Sequence, residues 1–171
     1  MIENPENPFE LLQNDIATKL MATAPFDGIK FPDGTAFRVL TEDEGDVQFE
    51  YDAMISNLGL SIAVKSPEGD IDQPDIPGPL ITKMNFEVWV SENPVFNRDE
   101  LGTKVRLWKA TSVVLGALHG FQPPSLASPV YAAKVRNYRE RTFASEQDQV
   151  GVLILSRRCY FIAPQVAALI T

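Results

Sequence analysis

The chain has 171 residues, 44% of them hydrophobic, with one cysteine and a net charge of −8. That length sets a single domain over 1–171 and suffices to bury roughly 70% of the unfolded surface, so the core requires neither a metal nor a disulfide. The start Met1-Ile2-Glu3-Asn4-Pro5 has no basic leader, no run approaches roughly 18 apolar residues, and the arginines at 136, 139, 141, 157 and 158 are few, which excludes a membrane span and a phosphate-tracking nucleic-acid surface and predicts a soluble cytoplasmic protein.

The first element is an amphipathic helix. Asn7 suits its N-cap, Pro8 its first position, and Glu10 completes a capping box. Phe9, Leu12, Ile16 and Leu20 recur at helical spacing, widened by Met21, and this stripe is expected to lie on a sheet, with a partner groove as its other use. Residues 24–34 form a loop with turn signals at Asp27-Gly28 and Asp33-Gly34, and a short strand is expected over 36–40. The acidic run Glu42-Asp43-Glu44-Gly45-Asp46 lacks the alternating oxygen ligands of a calcium loop, because Val47, Phe49 and Tyr51 interrupt the register. It suits a helix start, where Asp43 or Asp46 caps and the charges favour the positive end. That helix carries Val47, Tyr51, Met54, Ile55 and Leu58 on one side and stops at Gly59. Leu60, Ile62 and Val64 mark a strand. The turn Ser66-Pro67-Glu68-Gly69-Asp70 then opens a loop through Gln73-Pro74-Asp75-Ile76-Pro77-Gly78-Pro79, whose prolines bar a central strand and predict a projecting arm.

Beyond the arm the chain alternates. Met84, Phe86, Val88 and Val90 take one face and Asn85, Glu87 and Ser91 the other, with Trp89 as the apolar exception on the polar face. Pro94 has no N–H to donate, so the ladder ends near Glu92, and Asn93 is held in extended or turn geometry. The loop Glu92-Asn93-Pro94-Val95-Phe96-Asn97-Arg98 leads to a helix with Thr103 as its expected cap. Val105, Trp108 and Leu115 give one apolar line and Leu107, Val114 and Leu118 another, a broad buried face that ends near Gly120. Phe121-Gln122-Pro123-Pro124 breaks the chain before a hairpin with strands over 130–142 and 150–162 and a turn at Ser145-Glu146-Gln147-Asp148. Cys159 in the second strand is expected as a buried hydrophobe rather than a reactive thiol. The apolar tail 166–170 either packs back or docks on a neighbour. Together these elements predict an α+β domain in which a mainly antiparallel sheet of four or five strands packs against two or three helices.

Catalytic signatures are missing. The sequence has no Walker or dinucleotide phosphate loop, no nucleophile elbow and no Cys/His ligand spacing, so no catalytic, cofactor or metal residue is assigned. His119 is the single histidine; it sits in the last helical turn, where it can serve open carbonyls, and no triad or ligand partners surround it. Glu87 and Glu92 flank the strand end and form the formal carboxylate pair of a hydrolase reading, although any two of the 23 acids make the same case until geometry perturbs their pKa values. The interaction reading falls on Pro94, Val95, Phe96, Asn97 and Arg98. Pro94 and Asn97 are expected to fix the turn, while Val95 and Phe96 stand out as a contact site, or Phe96 folds back as a lid on the core.

Charge divides the chain. Residues 1–80 hold 16 acidic and 4 basic side chains, net −12, and residues 81–171 hold 7 and 11, net +4. Such a surface keeps a protein soluble, and acidic and basic flanks also suit head-to-tail contacts that close a ring. The succession Val88-Trp89-Val90-Ser91-Glu92-Asn93-Pro94-Val95-Phe96-Asn97-Arg98, followed by Gly102-Thr103 and a helix, resembles the tail terminator and tail-completion proteins of long-tailed bacteriophages, including prophage copies that serve as minor tail components. Length, element order and missing chemistry agree with that family across residues 7–162. The resemblance implies a structural protein without cofactors that forms a homo-oligomeric ring, usually a hexamer. Such a ring caps the tail tube at full length and faces the head-side connector, assembling in the host cytoplasm and ending in the virion tail. The proline-rich loop and the acidic N-terminal half depart from better-known members and leave another tail or neck component of similar fold open. A small non-viral interaction adaptor is the reading outside phage biology.

Overall fold

The computed structural model describes residues 8–41, 47–65, 68–72, 80–97, 103–125, 133–144, 153–162 and 166–168. In chain order these contain α1 (Pro8–Met21), a 3₁₀ turn (Phe26–Gly28), α2 (Val47–Leu58), β1 (Leu60–Val64), β2 (Glu68–Asp72), β3 (Leu80–Glu92), α3 (Leu107–Leu118), β4 (Lys134–Ala144), β5 (Leu153–Ile162) and β6 (Val166–Ala168). The class is α+β, as the two sequence periodicities predict. Among the described residues no helix is long and apolar enough to cross a membrane.

The 13-residue β3 is the axis of an antiparallel sheet. On one side it pairs with β1, Leu60 opposite Glu92, and with β2, Asp72 opposite Ile81. On the other it pairs with β5, Val88 opposite Cys159, and with β6, Ile81 opposite Ala167. β4 completes that flank against β5, with an irregularity between Val135 and Asn137. Among the described residues the sheet thus has six strands, two of them from segments read differently in the sequence. Glu68–Asp72, expected as turn and loop, is a strand: its single apolar residue, Ile71, leaves no alternation to read, and the edge of β3 supplies the pairing. In the tail, Val166–Ala168 packs back on β3 rather than waiting for a neighbour. The proline arm at 73–79, the Asn7 cap, the acidic run at 42–46 and the turn at 145–148 lie outside the described residues.

The strand expected over 36–40 is a correction. Lys30 bridges Ala36 in antiparallel fashion and Leu40 bridges Ala63 in parallel fashion, but no continuous ladder forms. The backbone donors turn to different partners, Phe37 N–H to Ile29 O at 3.0 Å and Leu40 N–H to Ile62 O at 2.9 Å. Apolar burial survives without the ladder, since Phe37, Val39 and Leu40 are all in the core. Arg38 pairs with Glu50 and so ties this segment to α2.

Phe86, Val88 and Val90 share the buried face of the sheet with Leu60, Ile62, Val64 and Cys159. Leu12, Ile16 and Leu20 of α1 and Leu107, Ala110, Val114 and Leu118 of α3 fill the same core, and α3 touches α1, β3, β4 and β5. Full burial of each leucine, isoleucine, valine or phenylalanine among them contributes about 1.5–3 kcal/mol. α2 covers the other face at the end where Ser61 opposes Ser91: the Ser61 hydroxyl lies 3.9 Å from Met54 Sδ, and the Tyr51 hydroxyl bonds Ser91. Trp89, on this second face, is half-buried; its Nε1 donates to Glu87 Oε2 at 2.8 Å and Lys65 Nζ sits 4.9 Å above its ring. Trp108 departs from the expected buried line and is 62% exposed. α3 begins at Leu107, not at Thr103, and its inward stripe is Leu107, Ala110, Thr111, Val114 and Leu118, so at about 100° per residue position 108 turns outward.

Candidate functional site

The loop after β3 is built on two asparagines. Asn93 N–H donates to Gly59 O at 2.9 Å, Asn93 Oδ1 accepts Val95 N–H at 2.9 Å as in an Asx turn, and Asn93 O accepts Asn97 N–H at 2.9 Å. Pro94, at the first position after Asn93, has no N–H to leave unsatisfied in this tight reversal. Asn97 is 1% exposed and serves as the hub: its Nδ2 donates to Glu92 Oε1 and to Val105 O, both at 2.9 Å, and its Oδ1 accepts from Thr103 Oγ1 at 3.2 Å. Thr103 in turn accepts Val105 N–H at 3.1 Å and donates its own N–H to Leu58 O at 3.1 Å. Between them Lys104 is held at φ 61°, a left-handed conformation that costs about 1–3 kcal/mol for a residue with a side chain.

Glu92 closes this network onto α3. Its Oε2 accepts Leu107 N–H at 2.8 Å, and its Oε1 also meets Arg106 Nε at 2.7 Å. The helix therefore receives its N-terminal acceptor from a strand residue 15 positions upstream, while Arg106 at the N-cap makes no side-chain cap bond. Thr103, the expected cap, instead braces the loop. A carboxylate at the positive end of a helix is favourable, and the guanidinium and the N–H donors offset the cost of burying the charge. Asn93 Nδ2 is the one buried side-chain polar atom without a hydrogen-bond partner among the described residues.

Of the five loop residues singled out in the sequence, Pro94, Val95 and Asn97 take part in the turn, Val95 through its backbone N–H, while Val95 and Phe96 are 50% and 39% exposed. Among the described residues Phe96 is not part of the buried core cluster. Arg98 lies outside the described residues. Glu87 and Glu92 are not brought together. They project from opposite faces of β3, Glu87 toward Trp89 and Glu92 into the network. His119 is exposed at the C-terminal end of α3, where its N–H bonds Leu115 O at 3.0 Å. Among the described residues no group of three His, Cys, Asp or Glu side chains is placed to hold a metal ion.

Sequence reasoning missed Glu92 as the helix partner, yet its signal was present. Phe86, Val88, Val90 and Glu92 form one alternating series, so the acid continues an apolar face and has to find donors there. Trp108 was also missed as a surface group. It lies in the first turn of α3, and Val105, three residues before it, holds the loop through its carbonyl, which accepts from Asn97 Nδ2 at 2.9 Å. Lys104, Arg106 and Lys109 are exposed on the same stretch, and residues 103–125 contain no acid. No protein-family model matches the sequence, and no curated protein sequence matches it.

Proposed function

We propose that this protein is a structural component of a bacteriophage or prophage tail, a ring-forming tail terminator or tail-completion protein that caps the tail tube and contacts the head-side connector. The reading rests first on the sequence resemblance of residues 88–103 and the α+β element order. The observation that carries it is the loop itself: Asn93, Asn97 and Glu92 spend buried polar groups on holding a short turn rigid, while Val95 and Phe96 at its tip face outward. Rigid presentation of apolar side chains lowers the entropy cost of association, which is the property a repeated subunit contact requires. The acidic N-terminal and basic C-terminal halves supply the complementary flanks of a head-to-tail ring.

Sedimentation velocity and electron microscopy of the purified protein, with and without tail-tube protein, test the reading. Closed rings, or tubes capped by rings, are the expected result. A strict monomer at every concentration and ionic strength, with no binding to tail tube, overturns it. Gene neighbours encoding tube, sheath, tape-measure or connector proteins would agree with the proposal, whereas a metabolic operon would point to the adaptor reading.

A further inference from the structure

The sheet ends on two edges of opposite charge. β2 pairs with β3 on one flank and β4 pairs with β5 on the other, and among the described residues no further strand pairs with the outer side of either. The registers relate the two edges directly, because Glu68, Asn85, Ile162 and Lys134 form one row across β2, β3, β5 and β4. Opposed residues share a face, and the face alternates along each strand. Glu68, Asp70 and Asp72 therefore hold the three positions of β2 on the face that Trp89 occupies, away from the core. Lys134, Asn137, Arg139 and Arg141 hold the corresponding positions of β4.

The basic edge is short of anions within its own sheet. Arg139 stands directly opposite Arg158, a placement of like charges that destabilises a ladder. Its row continues through Trp89 to Ala63, and the row of Arg141 continues through Ser156 and Ser91 to Ser61, so neither holds an acid. β2 carries acids at the matching spacing, two residues or roughly 7 Å apart. Pairing β4 with β4 would set Arg beside Arg, and pairing β2 with β2 would set acid beside acid. Both are penalised, which leaves β4 against β2 as the complementary combination. Strand direction agrees. β2 and β5 run against β3, and β4 runs against β5, so copies that keep one strand sense around a ring bring β4 and β2 together antiparallel.

We infer that β4 of one copy pairs antiparallel with β2 of the next, with Arg141 opposite Glu68, Arg139 opposite Asp70 and Tyr138 opposite Ile71, so that the sheet continues from subunit to subunit. The inference rests on the ring reading above and names its two surfaces. Main-chain bonds supply the affinity of such strand addition, and the side-chain pairs fix its register. On the second face of the new ladder Tyr138, 57% exposed in the single chain, meets Ile71 as an aromatic and β-branched pair, and Glu140 falls beside Gly69. A slip of two residues would keep Arg139 opposite an acid, Asp72, but would set Glu140 against Ile71 and Phe143 against Glu68. Each copy offers one acidic and one basic edge, and this heterologous contact propagates until rotation closes it.

Charge exchange tests the pairing by sedimentation velocity. Arg141→Glu and Glu68→Lys should each weaken assembly by about tenfold or more, and the double variant should return to within about threefold of the parent, because the exchanged charges again face each other. Circular dichroism and urea unfolding establish that each variant is folded. Thiol cross-linking reads the register independently. Under mild oxidation Glu68→Cys/Arg141→Cys should give covalent multimers up to the full ring, whereas Glu68→Cys/Glu140→Cys, with its second cysteine on the other face, should not. If the single variants assemble like the parent, if a folded double variant fails to recover, or if the two cysteine pairs cross-link alike, the edge pairing falls while the ring reading stands. A parent protein that is monomeric under all conditions, tail tube included, removes both.

Discussion

Gly59 and Asn97 approach so closely that no side chain fits between them. A Cβ on Gly59 would lie 2.4 Å from the Asn97 backbone N and 2.6 Å from its Cβ, and Gly59 itself adopts φ +68°. Both the left-handed backbone and the contact with the hub of the polar network demand glycine here. Gly59→Ala is expected to cost roughly 2–5 kcal/mol in urea unfolding, from backbone strain plus displacement of Asn97. Gly34 separates the two causes, because it has φ +88° with nothing within 4 Å of its Cβ position. Gly34→Ala should lose about 1–2 kcal/mol from conformation alone. Equal losses at the two sites would mean that the contact with Asn97 carries no energy.

The Glu92 carboxylate links β3, the loop and α3, so its removal should be felt at the helix start. Glu92→Ala leaves Leu107 N–H without its acceptor and takes a charge partner from Arg106, an expected loss of about 3–5 kcal/mol. Glu92→Gln keeps one acceptor oxygen but turns an NH₂ toward donors already present, and about 1–3 kcal/mol should be lost. Arg106→Gln should cost about 1 kcal/mol or less, because the arginine side chain is half exposed and the carboxylate keeps its N–H donors. Hydrogen exchange at the Leu107 amide gives an independent reading: faster exchange in Glu92→Ala than in Arg106→Gln is expected, and the reverse order would remove Glu92 as the cap.

Helices were the most legible part of the sequence. Leu12, Ile16 and Leu20 declared the buried stripe of α1, and Gly59 its neighbour's stop, because 3.6-residue spacing and a left-handed terminus are local properties. The alternation of Phe86, Val88 and Val90 likewise marked the centre of β3. What stayed hidden depended on partners distant in the chain. β2 and β6 exist because β3 is long enough to pair on both sides below Asn85, which neither segment reveals locally. The cap of α3 lies 15 residues upstream across a turn, so inspection of residues 103–107 pointed to Thr103. Trp108 was misplaced because three apolar residues at near-helical spacing were counted from Val105, which precedes the helix.

Phe96→Ala separates presentation from packing at the loop tip. With 39% of Phe96 exposed and Asn93 and Asn97 holding the backbone on either side, truncation should change stability by less than about 1 kcal/mol, well short of the 3–5 kcal/mol of a core phenylalanine. Association measured by sedimentation should fall at the same time. A large loss of stability would show that the ring packs on the domain, and an unchanged variant in both assays would remove the loop tip from the contact.

Tyr51 makes stability depend on pH at the alkaline end. Burial raises its pKa above the ordinary value of 10.0, the bond to Ser91 opposes the shift, and the charge of Asp52 adds to it. The neutral phenol is thus favoured in the folded state, and the unfolded chain releases its proton first. The stability this contributes is full below about pH 10 and is lost as pH rises through the folded-state value. Tyr51→Phe removes that dependence and also the hydroxyl bond to Ser91, a loss of about 0.5–1.5 kcal/mol at neutral pH. Urea unfolding from pH 7 to 11 should therefore show the variant less stable at pH 7, with the gap narrowing above pH 10 as the parent loses its contribution. A gap between Tyr51→Phe and the parent that stays constant to pH 11 would mean that the Tyr51 phenol titrates alike in both states.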